Sequence, residues 1–108
     1  VEAVFGLHNW PGIPVGQMAV MPGPIMAGTC GFEIEVRGHG CHAAMPQQGV
    51  DAIVTAAQLV QALQTVVSRQ LNISLEPAVL TIGSIQGGTR YNIIPDNVEM
   101  QGTLRTFD

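Results

Sequence analysis

Two runs of strict two-residue alternation do most to limit what this chain can fold into. Phe32, Ile34 and Val36 alternate with Glu33, Glu35 and Arg37. Val98, Met100, Gly102 and Leu104 alternate with Glu99, Gln101, Thr103 and Arg105. Successive side chains of a strand point to opposite faces, so each run predicts a strand with one buried and one wet face. Ala78 to Ile85 is apolar and β-branched, which suits a central strand. Between the first and second of these strands, Ile53, Ala56, Ala57, Val60, Leu63 and Val67 recur at helical spacing, and Asp51 is placed to cap the helix. Its opposite face carries Thr55, Gln58, Gln61 and Thr65, neutral groups compatible with burial against a partner. Arg69 stands near the end, where a cation suits the helix dipole.

The order strand, helix, strand, strand is the first part of a β-α-β-β-α-β ferredoxin-like unit. The expected fold class is therefore α+β, a ferredoxin-like open-faced sandwich whose second helix and last strand are missing. A strand–helix–strand connection of this kind is right-handed. Ahead of it, residues 1–9 read as a strand and Val15 to Met21 as a second, short one, with Trp10-Pro11-Gly12-Ile13-Pro14 breaking them apart. Pro22-Gly23-Pro24 marks the boundary between two structural units.

Of the 108 residues only 11% are charged, none is lysine, and the net charge is −4. Typical globular domains are roughly 25% charged. So bare a chain reads as part of something larger, or as a subunit that buries surface against a partner. Nucleic acid is excluded as a partner, because no basic patch interleaved with aromatics is present. The uncharged stretch from Ala52 to Ser68 is too rich in glutamine, threonine and serine to span a membrane. Val1 opens the chain without an initiator methionine or a basic leader, which points to an excised or processed piece. Cys30 and Cys41 flank the first strand and are expected as free thiols in a reducing, cytoplasmic setting.

Few residues advertise chemistry. His8 ends a predicted strand, a common position for a metal ligand, although with no second ligand nearby the spacing alone favours a histidine bonded to backbone. His39 and His42 bracket Gly40 and Cys41 in a glycine-framed turn that fits a substrate contact or a plain loop better than a metal site. Gly87-Gly88-Thr89-Arg90-Tyr91-Asn92 lacks the ending of a phosphate loop. No nucleophile elbow and no carboxylate pair spaced for acid–base work are present.

Taken in order, several segments resemble the metal-dependent aminoacylase, hippurate hydrolase and auxin-conjugate hydrolase family of amidohydrolases. Gly6-Leu7-His8-Asn9-Trp10-Pro11 resembles the end of its catalytic domain, and Pro22-Gly23-Pro24-Ile25-Met26-Ala27 its crossing into a smaller lid domain. Gly38-His39-Gly40-Cys41-His42-Ala43-Ala44-Met45-Pro46 with Gly49-Val50-Asp51 resembles its G-x-G-x-H-A-A-x-P…G-x-D pattern. Ala62 to Arg69 is similar to its lid helix, and Gly87 to Asp96 with Gly102-Thr103-Leu104-Arg105 to its later lid strands. The pattern departs at Cys41, where a small residue is frequent, at His39, where lysine or arginine is common, and at Gln47, where histidine is frequent.

The resemblance implies a division into residues 1–27, the end of a catalytic domain and a linker, and residues 28–108, a lid and dimerisation domain cut short at its C-terminus. It implies hydrolysis of the amide bond of N-acyl amino acids by a homodimer whose full-length chain carries two divalent metal ions, zinc or manganese. By position His8 is similar to a metal ligand. His42 is similar to the lid histidine that reaches the partner's active site and polarises the scissile carbonyl. Asn92 and Arg105 are similar to lid residues that contact substrate. The family's other metal ligands and its glutamate pair are not in this chain, so the 108 residues alone are expected to bind no metal tightly and to be inactive. Two other readings compete: a stand-alone module binding a small carboxylate through Arg90, Arg105 and Asn92, and a purely structural dimer domain.

Overall fold

The computed structural model describes residues 1–107. Five strands and one α-helix follow residue 27: β1 (Gly28–Arg37), β2 (Cys41–His42), α1 (Ala52–Thr65), β3 (Ala78–Gly87), β4 (Ile93–Ile94) and β5 (Asn97–Thr106). A 3-10 turn over Pro46–Gln48 precedes α1, and a wide π-turn over Val66–Gln70 extends it. The three long strands form one antiparallel sheet in the order β1-β5-β3. β5 pairs with β1 from Gly28↔Thr106 to Arg37↔Asn97, and with β3 from Ala78↔Thr106 to Gly87↔Val98. A bulge between Ile82 and Ser84 absorbs one extra residue of β3. β1 and β3 thus run the same way with β5 inserted between them, and α1 makes the connection, a split β-α-β unit. The alternating runs therefore form the strands their periodicity predicts, in an α+β fold.

One face of the sheet carries α1. Val36, Ala52, Ala56, Val98 and Met100 form the core, with Ile34, Leu59, Val60 and Ile82 packed against it. Asp51 caps α1: one carboxylate oxygen accepts from the Ile53 and Val54 N–H groups at 2.9 and 3.0 Å. Such a cap contributes about 1 kcal/mol. At the other end the helix widens. Thr65 and Ser68 hydroxyls donate back to the Ala62 and Gln64 carbonyls, a bond that competes with the helical ladder and bends it. Thr55, Gln58, Gln61 and Thr65 lie exposed.

The opposite face of the sheet is open and polar. Glu33 accepts from Gln101 across the β1–β5 pair at 3.1 Å. Arg37 pairs with Glu35 at 2.7 Å. The hydrogen bond from Arg37 holds the Glu35 carboxyl below its ordinary range; desolvation opposes it, and the Arg37 charge and a bond from Asn97 add to the lowering. The same bond raises the Arg37 guanidinium. A carboxyl lowered in the folded state stabilises above its unfolded pKa, and that gain is lost as the pH falls. For so exposed a pair it is small.

Residues 1–27 depart from the expected pattern. No strand forms over residues 1–9 or 15–21, although both are apolar and β-prone. A strand is stabilised by a paired neighbour and a packed face, and here this segment has neither. Val4, Phe5, Leu7 and Val15 are at least 85% exposed. The radius of gyration is 20.6 Å, against about 13 Å for a compact chain of this length.

Phe32, Gly102 and Ile82 are direct partners across the three strands. A Cβ on Gly102 would fall against the Phe32 ring and 2.6 Å from the Thr81 carbonyl oxygen. Gly102→Ala should therefore cost about 1–3 kcal/mol, as overpacking does, by displacing Phe32. Denaturant unfolding would measure it, and a loss under about 0.5 kcal/mol, ordinary for a surface change, would mean that Phe32 simply turns aside.

Candidate functional site

The residues singled out for chemistry fall into three separate places. His42 and Asn92 are brought together. β2 and β4 pair antiparallel, with Cys41 opposite Ile94 and His42 opposite Ile93. The Ala43 N–H donates to the Asn92 carbonyl at 3.0 Å. These short strands hang from the end of the sheet where Arg37 meets Asn97. Two residues each is too little for periodicity to reveal, so only the family resemblance, which likens Gly87 to Asp96 to lid strands, pointed to β4.

Glycine makes the approach possible. The His39 N–H and carbonyl bond Val50 at 3.0 and 2.9 Å, and the Gly38 N–H donates to the Asp96 carbonyl at 2.7 Å. A Cβ on Gly38 would meet the Val50 carbonyl, one on Gly40 would lie 2.9 Å from the Ile94 carbonyl, and one on Gly49 would lie 2.6 Å from Cys41 Sγ. Main chains thus lie directly against one another around His42. A shallow depression of about 420 Å³ opens beside this loop, lined in part by Gly40, Thr89, Asp96 and Asn97.

His42 is exposed, and its Nδ1 accepts the Ala44 N–H at 3.0 Å. A nitrogen that accepts an N–H carries its lone pair there, so the proton of the neutral ring resides on Nε2. His42 therefore presents an N–H donor, suited to an oxygen that develops negative charge. His8 shows the reverse. Its Nδ1 meets the Asn9 carbonyl oxygen, which can only accept, so Nδ1 carries the proton and Nε2 keeps its lone pair, the arrangement that metal ligation through Nε2 needs. The His8 ring also lies 5.6 Å from that of Trp10.

Arg105 is in neither place. Eight residues separate it from Asn97 along β5, about 26 Å at the usual strand rise. It is half-buried, its Nη1 donating to the Thr103 hydroxyl at 2.7 Å. Arg90 is exposed in the turn before β4. Arg90, Asn92 and Arg105 thus do not converge, so a carboxylate pocket built from all three in one copy is corrected.

Among the described residues no three His, Cys, Asp or Glu side chains are grouped to hold a metal ion. These residues do not fit a dinuclear centre by themselves; His8 could supply one ligand at most. Cys30 and Cys41 are free thiols, the first exposed and the second half-buried. No helix among the described residues is long and apolar enough to cross a membrane.

This fold and loop have known counterparts. Residues 26–108 match the family model of the M20 peptidase dimerisation domain, and the chain belongs to that family. It is 51% identical over its whole length to N-acetyl-L-cysteine deacetylase of Bacillus subtilis (strain 168), covering 26% of that protein. It is 44% identical to N-acyl-L-amino acid amidohydrolase of Geobacillus stearothermophilus, covering all of this chain and 29% of that one. The chain thus spans about a quarter of the length of these curated relatives. Among solved structures, the Bacillus subtilis YxeP protein, a dinuclear metal-binding peptidase of the M20 family, superimposes with a TM-score of 0.63 at 38% identity, over 94% of this chain and 22% of that one.

Because Gly49 lies against both His39 and Cys41, Gly49→Ala should push the loop that carries His42 off β4. The expected result is a loss of about 1–3 kcal/mol with backbone amide shifts concentrated at residues 39–44 and 92–94. Shifts spread evenly over the sheet instead would mean that Gly49 serves the fold and not this loop.

Proposed function

We propose that this chain is the lid and dimerisation domain of a metal-dependent amidohydrolase that hydrolyses the amide bond of N-acyl amino acids as a homodimer. The observation that carries the reading is the opposite main-chain partner at Nδ1 of two histidines, an amide N–H for His42 and a carbonyl oxygen for His8, which suits the first as an Nε2–H donor and the second as an Nε2 lone-pair ligand. In this reading His42 polarises the scissile carbonyl, and His8 is one ligand of a centre of two divalent ions, zinc or manganese. The remaining ligands and the general base lie outside these residues. Residues 1–27 then belong to the end of the catalytic domain and its linker, whose body would cover the exposed Phe5, Leu7 and Val15, and residues 28–108 to the lid. The 108 residues alone are inactive. The free thiols support a cytoplasmic location.

Asn92 contacts substrate beside His42, and Arg105 holds the substrate carboxylate with its planar fork of donors. The length of β5 between them gives this reading a consequence. One small substrate cannot span about 26 Å, so His42 and Asn92 must come from one copy and Arg105 from the other. A two-fold dimer supplies both pairs symmetrically.

Mixed dimers test this. In the full-length protein His42→Ala and Arg105→Ala should each lower kcat/KM by about 100-fold or more, with metal content unchanged. Unfolded and refolded together, they should recover about a quarter of wild-type activity, because half the dimers are hybrids and each hybrid holds one intact site. No recovery from folded hybrids would place both residues in the same site from the same copy. Loss of metal on His42→Ala would make His42 a ligand and overturn its assigned role.

A further inference from the structure

The loop that presents His42 is tied down on one side by Val50 and on the other by a single residue, Asp96. The Asp96 carbonyl accepts the Gly38 N–H at 2.7 Å. Its side-chain Oδ1 accepts the Gly40 N–H at 2.8 Å. The two bonds bracket His39, and they join the turn between β4 and β5 to the loop between β1 and β2. A Cβ on Gly40 would crowd the same Oδ1 at 3.1 Å, so a glycine at 40 and the carboxylate are matched to each other. Two residues past Gly40, the His42 ring keeps Nδ1 on the Ala44 amide. Between the two groups, the Ala43 N–H donates to the Asn92 carbonyl at 3.0 Å, so the turn that carries both is held against β4, with Cys41 opposite Ile94 and His42 opposite Ile93.

We propose that Asp96 is a positioning residue for His42. It clamps the Gly38–Gly40 loop onto the β4–β5 turn, which keeps the His42 ring as an Nε2–H donor. The inference rests on the reading of His42 as the group that polarises the substrate carbonyl. Asp96 touches no substrate in this account. Its carboxylate works as a hydrogen-bond acceptor, so the charge is dispensable and the oxygen is not. Releasing Gly40 would let β2 slip from Ile94, free Nδ1 from Ala44 and allow the ring to turn and take either tautomer. A displacement of about 1 Å at such a group costs about 100-fold in rate.

The experiment uses the full-length protein labelled with 15N-histidine. Long-range proton–nitrogen spectra report which ring nitrogen of His42 is protonated, with His42→Ala assigning the signal. Wild type should show His42 with the proton on Nε2, and a signal with the proton on Nδ1 overturns the proposal before any variant of Asp96 is made. Asp96→Ala should show both tautomers, a kcat lowered about 10- to 100-fold, a KM within about threefold and unchanged metal content. Asp96→Asn keeps an acceptor oxygen and should restore the single tautomer and most of kcat. Asp96→Asn as impaired as Asp96→Ala, or Asp96→Ala with wild-type tautomer and kcat, overturns it. If Asp96→Ala does not fold, the wild-type spectrum and Asp96→Asn still decide. Unchanged kcat in His42→Ala would instead defeat the functional reading, and the tautomer spectra would then judge the clamp alone.

Discussion

Strand β5 holds the rest of this structure in place, because both other long strands pair with it and neither pairs with the other. Its register with β1 sets Phe32 over Gly102, and its register with β3 sets Ile82 beside the same glycine. Its buried Val98 and Met100 are the floor on which Ala52 and Ala56 of α1 rest. Two alanines at the contact let the helix come close to the sheet, so a short helix seals a small core. That core contains no buried polar or charged side chain. It covers only part of one sheet face. Cys30, farther along β1 on that face, remains exposed. A domain burying so little gains from additional surface packed against it.

The same strand decides where chemistry can occur. Its first residue stands beside Arg37, from which the loop to β2 departs, and the residues just before it are Asp96, Pro95 and β4. The His42 loop and the Asn92 turn are therefore forced together at one end of the sheet. Arg105 is carried to the other end by the same regular geometry. A functional reading that needs all three residues around one substrate cannot be satisfied within a single copy. Under that reading a second copy is needed for the chemistry.

Much of the fold was legible because long strands and amphipathic helices write their periods into the sequence. The alternation at residues 32–37 and 98–105 and the cap at Asp51 have their structural counterparts; the helical spacing gives α1, but its packed face is Ala52, Ala56, Leu59 and Val60, with Ile53 and Ala57 exposed. The N-terminal segment was misread for an equally physical reason: Phe5 and Leu7 have β propensity, but propensity does not supply a neighbouring strand. The pairing of β2 with β4 left no periodic trace, since two residues carry no period and the paired positions lie 51 and 53 apart. The one available signal was steric. Gly38, Gly40 and Gly49 cluster around His39 and His42, and glycines so placed mark where backbones must touch. Asp96 was visible only as the last residue of a motif, because its bonds to Gly38 and Gly40 depend on that unseen pairing.

The two histidines show what a sequence motif leaves unsaid about function. His8 and His42 are the same residue type, both exposed, and each has one ring nitrogen engaged by main chain. What differs is the sign of that engagement. A carbonyl at Nδ1 of His8 drives the proton onto Nδ1 and frees Nε2 as a base. An amide at Nδ1 of His42 drives the proton onto Nε2 and makes that atom an acid. Neither assignment needs a charged neighbour. Each follows from whether the nearest peptide group presents its oxygen or its nitrogen, which the local turn decides. Residue identity therefore makes a histidine available, and backbone direction chooses whether it binds a cation or stabilises an anion.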